Sequence, residues 1–170
     1  VQRLAPASDL AILPEPFFDR RDNSRLNLNF LFGAKPARTT LQAAAVTASW
    51  FGKLASYRGA RFPTAFNTIP PGHAVVFAPN DERPAVLASL APATGPGLLV
   101  MVNPSDPAAK LLVLTGRNGE DIRQAAEALS LGNLVMSGSQ LGIKEGVHAA
   151  PRAAYDAPNW VRMDRPMRFA

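Results

Sequence analysis

The chain has 170 residues, 47% of them hydrophobic and 18% charged, with no cysteine and only two histidines, His73 and His148. That is core material for one ordinary domain, and it excludes a disulfide scaffold, thiolate metal sites and cysteine nucleophiles. The net charge of +5 is spread thinly: residues 1–38 carry six basic against four acidic groups, 151–170 four against two, and 39–150 eight against seven, with no five-residue basic cluster, so it reads as solvated surface rather than a nucleic-acid footprint.

Residues 1–24 read as a linker. Pro6, Pro14 and Pro16 forbid regular structure, and Leu13-Pro14-Glu15-Pro16 is expected to be extended. Phe17-Phe18 inside it is read as an anchor that docks the linker onto a domain, with a partner contact as the alternative. The first strand is Leu26 to Phe32, with Leu26, Leu28, Phe30 and Phe32 on one face and Asn27 and Asn29 on the other. Gly33, Lys35 and Pro36 break it. Thr39 and Gln42 have the spacing of a capping box, which predicts a helix over 40–57. Its apolar stripe is Val46, Trp50, Leu54 and Tyr57, opposite a wet face of Gln42, Ser49, Lys53 and Ser56. Trp50 and Phe51 are read as core or near-core, with ligand stacking by Trp50 as the alternative.

Arg58-Gly59 ends that helix. Ala60 to Phe66 is a weak strand interrupted by Pro63, which suits a sheet edge. Pro70-Pro71-Gly72 is a turn, and His73 to Ala78 an apolar strand with His73 at its mouth. Pro84 suits the first turn of a short helix, 83–90. Leu98–Val102 and Lys110–Thr115 are two strongly apolar strands, joined by a connector too short for a parallel crossover, so they are predicted to be antiparallel and covered on both faces. Asn118 caps a second helix with Glu120 and Asp121 in its first turn, where the dipole favours negative charge. Ile122, Ala125, Ala126 and Leu129 form its buried stripe, and Gly132-Asn133 ends it. Residues 139–143 add a short strand, and the tail from Pro151 is again connector.

The alternation of strands and helices raises the question of a phosphate site at a helix start. The turn from Phe32 to Thr40 has one glycine where a dinucleotide fingerprint wants three, and no Gly-Lys-Ser/Thr ending. The turn Thr115 to Glu120 carries its own acids, Glu120 and Asp121, which would repel a phosphate. Ser137-Gly138-Ser139-Gln140-Leu141-Gly142 has the wrong spacing for a serine-hydrolase elbow. Arg21 and Arg25 have the Arg-x-x-x-Arg spacing with which cyclic-dinucleotide readers grip phosphates, but the accompanying Asp/Asn-x-Ser-x-x-Gly is incomplete, because Asp22-x-Ser24-x-x is followed by Asn27. No apolar run approaches the roughly 18 residues of a membrane span. No catalytic residue, metal ligand or cofactor site emerges. The sequence begins at Val1 and stops at Ala170 without a natural boundary, so it is expected to be a piece of a longer protein.

Several phrases occur together in order: Leu13-Pro14-x-Pro16-Phe17-Phe18-Asp19-x-Arg21-Asp22, Ala48-Ser49-Trp50-Phe51-Gly52, Tyr57-Arg58-Gly59-Ala60-Arg61-Phe62-Pro63, Asn103-Pro104-x-Asp106-Pro107, and Tyr155-Asp156-Ala157-Pro158-Asn159-Trp160 followed by Asp164-Arg165-Pro166. From about residue 10 to the end, the chain resembles BcsB, the periplasmic component of bacterial cellulose synthase. The resemblance implies an α/β fold, a small flavodoxin-like (Rossmann-like) mixed sheet flanked by helices and without a cofactor. It also implies a division into a linker from a preceding jelly-roll domain (1–24), the α/β domain (25–150) and a lead-in to a following jelly roll (151–170).

By the same resemblance the chain is a non-catalytic periplasmic scaffold domain of an inner-membrane-anchored protein, with no membrane span of its own. Its expected partners are the cellulose synthase catalytic subunit and sibling BcsB copies, with the nascent glucan held by the adjacent jelly rolls. Members are often labelled as cyclic di-GMP-binding, although the family's accepted mechanism places that ligand on a PilZ domain of the catalytic subunit. Three alternatives stand beside the scaffold: a glycan-binding module using Phe17, Phe18 and Trp160, a cyclic-dinucleotide sensor using Arg21 and Arg25, and a flavin or nucleotide enzyme.

Overall fold

The computed structural model describes residues 7–132 and 135–144. Its centre is a six-stranded mixed sheet in the order β4-β2-β5-β7-β6-β8, formed by Asn29–Phe32 (β2), Thr64–Phe66 (β4), Ala74–Pro79 (β5), Gly97–Asn103 (β6), Asp106–Gly116 (β7) and Gln140–Gly142 (β8). β4, β2, β5 and β7 pair in parallel, while β6 pairs antiparallel with both β7 and β8. The antiparallel hairpin expected for 98–102 and 110–115 is β6–β7, and its apolar run is covered on both faces: Leu111, Leu112, Val113 and Leu114 are all fully buried.

The expected first strand is split. Leu26–Asn27 (β1) pairs with Ala60–Arg61 (β3) in a separate two-stranded ladder, and β2 pairs with β4 beyond it. Pro63 has no N–H to donate, so the ladder breaks beside it while its carbonyl still accepts from Phe30 N at 2.8 Å. The interrupted strand lies, as expected, at the edge of the sheet.

Both α-helices, Arg38–Ala55 (α1) and Gly119–Leu131 (α2), cover the same face. Phe30, Phe32, Val75, Phe77, Leu98, Val100, Leu112 and Leu114 point into this layer, where the Phe32 and Phe77 rings stack at 5.0 Å and Phe30 meets Phe77 edge-on at 5.3 Å. The opposite face, carrying Leu31, Val76, Leu111 and Val113, is roofed among the described residues by Ile69 from a loop and Leu87 from a single 3-10 turn. The loop 67–73 joins β4 to β5 across β2. Seven extended residues reach about 23 Å, enough to cross two strand spacings of about 4.8 Å each and return past the three residues of β4, so no helical crossover is needed.

Four local expectations are corrected. α1 buries Thr40, Ala43, Ala44, Thr47, Phe51 and Ala55; Val46, Trp50 and Leu54 are only partly buried, and Tyr57 is 86% exposed. The small side chains face inward because α2 packs against α1 so closely that a Cβ on Gly119 would stand 2.2 Å from Thr39 Oγ1. The Thr39–Gln42 capping box does not form: Ala37 is the N-cap, and a carboxylate from another loop serves the helix start. Only Ala85–Leu87 of the expected helix 83–90 forms, as a single 3-10 turn. The Arg83 guanidinium instead binds the Leu90 and Ala91 carbonyls and Asn80 Oδ1, holding the loop as a knot. Finally, Leu13–Pro16 is compact, with cis bonds before both prolines and the Phe17 and Phe18 N–H groups donating to Pro14 O at 3.0 Å. The α2 start agrees with expectation, since Asn118 Oδ1 accepts from Glu120 N and Asp121 N. Among the described residues no helix is long and apolar enough to cross a membrane.

Candidate functional site

In an open α/β sheet the usual ligand position is outside the carboxyl ends of the parallel strands, at the helix starts. Here that place is filled from within. Glu82 Oε2 accepts from Ala37 N at 2.8 Å and from Thr40 Oγ1 at 3.0 Å. A carboxylate therefore occupies the start of α1, where the dipole and free N–H groups favour an anion. Behind it, a Cβ on Gly33 would stand 2.1 Å from Glu82 O, so the backbone turns meet without a gap.

At the start of α2, Arg117 clasps Asp121 through Nε–Oδ2 at 2.7 Å and Nη2–Oδ1 at 3.0 Å, and Arg117 N donates to Oδ2 at 2.9 Å. These bonds hold the Asp121 carboxyl below its ordinary range against the opposing effect of burial. A phosphate entering here would have to displace Glu82 and face Asp121. A hollow of about 760 Å³ lies beside this end between the loop 90–97 and β6–β8, and among the described residues no titratable side chain lines it. The chemistry is elsewhere.

It gathers at the amino end of the sheet, around the leading segment. Phe17 and Phe18 are each 4% exposed and belong to the helix-side core. The Arg58 guanidinium lies 4.5 Å from the Phe18 ring centroid, and its Nη1 donates to Asp19 O at 3.3 Å and to Asp22 O. One cation thus sits on the ring and ties two carbonyls of the segment. Asp22 closes the turn by accepting from Ser24 N and Ser24 Oγ, bonds that lower its pKa together with nearby Arg58. A hollow of about 270 Å³ is lined by Phe18, Asp19, Asp22, Arg25 and Arg58 among others. A second, of about 480 Å³, is lined by Phe18, Arg20, Trp50, Lys53, Leu54, Arg58 and Ser130.

The residues singled out in the sequence separate as follows. Phe17 and Phe18 are anchors whose rings are spent on the core, on Arg58 and on an edge contact to His73 at 5.8 Å. Arg25 is exposed, reaches Ala60 O at 3.5 Å and shares the smaller hollow with Arg58. Arg21 is exposed and lines neither hollow. Trp160 lies outside the described residues. The structure adds Arg20, Lys53 and Arg58 around Trp50, a grouping spread over 39 positions that no local motif signals. Among the described residues no three histidine, cysteine or carboxylate side chains cluster so as to hold a metal ion.

Residues 9–143 match the family described as cellulose synthase BcsB, first FD domain. The chain belongs to the BcsB family. It is 48% identical to a cyclic di-GMP-binding protein of Xanthomonas axonopodis pv. citri, 43% identical to one of Salmonella typhimurium and 35% identical to one of Komagataeibacter xylinus, in each case over 98% of this chain. It spans only about a fifth of those relatives, 22%, 22% and 20% of their lengths. Three of the phrases that carry the BcsB resemblance have definite structural work. Leu13–Asp22 and Tyr57–Pro63 meet through Phe18 and Arg58. Asn103, fully buried, donates through Nδ2 to Pro70 O at 2.9 Å and Gly72 O at 2.7 Å. Asp106 Oδ2 accepts from Gly72 N at 3.1 Å, so this phrase clamps the β6–β7 turn to the start of β5.

Proposed function

We propose that this BcsB segment is a non-catalytic periplasmic scaffold domain of a bacterial cellulose synthase complex. In this reading it holds the neighbouring domains of its own chain and supports cellulose synthesis and export beside the catalytic subunit. The observation that carries it is the self-filled carboxyl end: Glu82 stands where a ligand's anion would bind, and Asp121 is held beside it. The leading segment is likewise fastened to the core by Phe17, Phe18 and Arg58, which suits a body that transmits position.

The test is a surface-substitution scan of this domain in the full-length protein, read out as complex assembly and cellulose output. Wild-type behaviour across the whole surface overturns the reading. A thermal-shift panel with cellohexaose, cyclic di-GMP and flavin mononucleotide complements it. A ligand at 100 times its dissociation constant adds about 2.7 kcal/mol, a rise in midpoint of about 5–10 °C, and the scaffold reading expects no rise.

The relatives' name supports a second reading, cyclic di-GMP binding, and Arg25 and Arg58 do line one hollow. The carboxylates of Asp19 and Asp22 line it too and oppose two incoming phosphates. Loss of a cyclic di-GMP-induced shift in Arg25→Ala would place this reading first.

A further inference from the structure

The groove between the leading segment and the carboxyl half of α1 is open and one-sided in charge. Among the described residues its charged side chains are Arg20, Lys53 and Arg58, and no carboxylate lines it. Arg58 binds carbonyls and a ring, with the Asp22 carboxylate near it in the smaller hollow, so the uncompensated charges of the groove are those of Arg20 and Lys53. Arg20 and Lys53 are exposed and make no side-chain bond among the described residues. α1 carries no acidic residue over its 18 positions, so the wall of the groove supplies no counter-charge. Trp50, half-buried and propped edge-on by Phe51 at 4.6 Å, forms part of the lining.

We infer that this groove docks an acidic polypeptide segment from another subunit, with Trp50 taking an apolar side chain and Arg20, Lys53 and Arg58 taking carboxylates. Charge complementarity selects this occupant. A neutral glucan needs acceptors as well as donors, and the charged groups here are donors only. A small phosphate needs convergent donors, whereas the two free cations are solvated and come from different elements. Trp and Arg at the centre of a groove are also the residue types that carry binding energy in protein interfaces. The inference rests on the scaffold reading and names one surface through which the scaffold works.

The experiment uses the full-length protein with Arg20→Glu and Lys53→Glu together. Because both side chains are exposed and unbonded, the thermal midpoint should stay within about 2 °C. Binding of a fluorescein-labelled peptide of alternating Asp and Glu with one central Trp should fall about tenfold or more and lose its salt dependence. The same peptide with Lys in place of the acids should not bind the wild-type protein. Absence of binding by the acidic peptide, or its displacement from the wild-type protein by cellohexaose or cyclic di-GMP, overturns the assignment. In the assembled complex, a benzophenone side chain at exposed Ser49 should crosslink to an acidic segment of a different subunit; a crosslink within its own chain, or none, overturns it. Assembly that survives surface changes everywhere sinks the scaffold reading as well. Assembly that is sensitive elsewhere but indifferent to Arg20→Glu and Lys53→Glu sinks the groove alone.

Discussion

At the carboxyl end of the sheet the polar groups beside both helix starts are bound to other parts of the chain, whereas at the amino end two of the three cations around Trp50 face water. The two ends share one sheet and one pair of helices, so the difference lies in the loops. The loop after β5 carries Glu82 back onto α1, and the turn before α2 carries Arg117 onto Asp121. The leading segment, by contrast, is fastened by rings and carbonyls, which hold it in place without neutralising the charges it brings. An α/β fold can therefore lose its usual ligand position through internal bonding while a different part of its surface stays free for contacts.

Changes at the two ends should behave differently, and the largest effect tests the anchor of the amino end. Phe18→Ala removes a core ring and the seat of Arg58, and should cost about 3–5 kcal/mol in denaturant unfolding; a cost under about 1 kcal/mol would mean that the leading segment is not part of the folded body. At the closed end, Gly33→Ala drives a Cβ into the Glu82 backbone, which cannot rotate away as a side chain would, and should cost about 1–3 kcal/mol by the same measurement.

Asp121→Asn weakens a buried charge-assisted pair and should cost about 1.5–3 kcal/mol at neutral pH. The folded-state pKa of Asp121 is lowered from 3.8, so its contribution is fully present above that value and is lost as pH falls through the lower folded value. The variant's acid limb should be shallower than the wild type's. His73, whose Nδ1 accepts from Lys110 N at 3.0 Å, is lowered from 6.5 by burial. Stability should therefore begin to decline as pH falls below 6.5, and His73→Asn should remove that part of the decline. The smallest effect is expected at the open groove: Lys53→Glu should change stability by no more than about 0.5 kcal/mol, in contrast to its effect on association.

Much of the architecture was legible locally. The β6–β7 hairpin followed from two apolar runs with a connector too short to cross over, the start of α2 from Asn118, and the sheet edge from Pro63. The anchor role of Phe17-Phe18 was readable because an apolar pair in a proline-rich stretch has few other uses. The candidate groove was not, since Arg20, Lys53 and Arg58 belong to different elements and no local spacing brings them together.

What the sequence by itself determined is the broad alternation of strands and helices, the Asn118 start of α2 and the family, because each depends on residues a few positions apart or on phrases in fixed order. Tertiary structure alone decided which side of α1 is buried. Hydropathy favours Val46, Trp50, Leu54 and Tyr57, but the close approach of α2 admits only small side chains along most of the contact, and Thr40, Ala43, Ala44 and Thr47 were chosen with Phe51 and Ala55. It also decided that α1 is capped by Glu82, 45 positions from Ala37. A helix start needs an acceptor within hydrogen-bond reach, and chain folding, which no local spacing encodes, sets which acceptor that is.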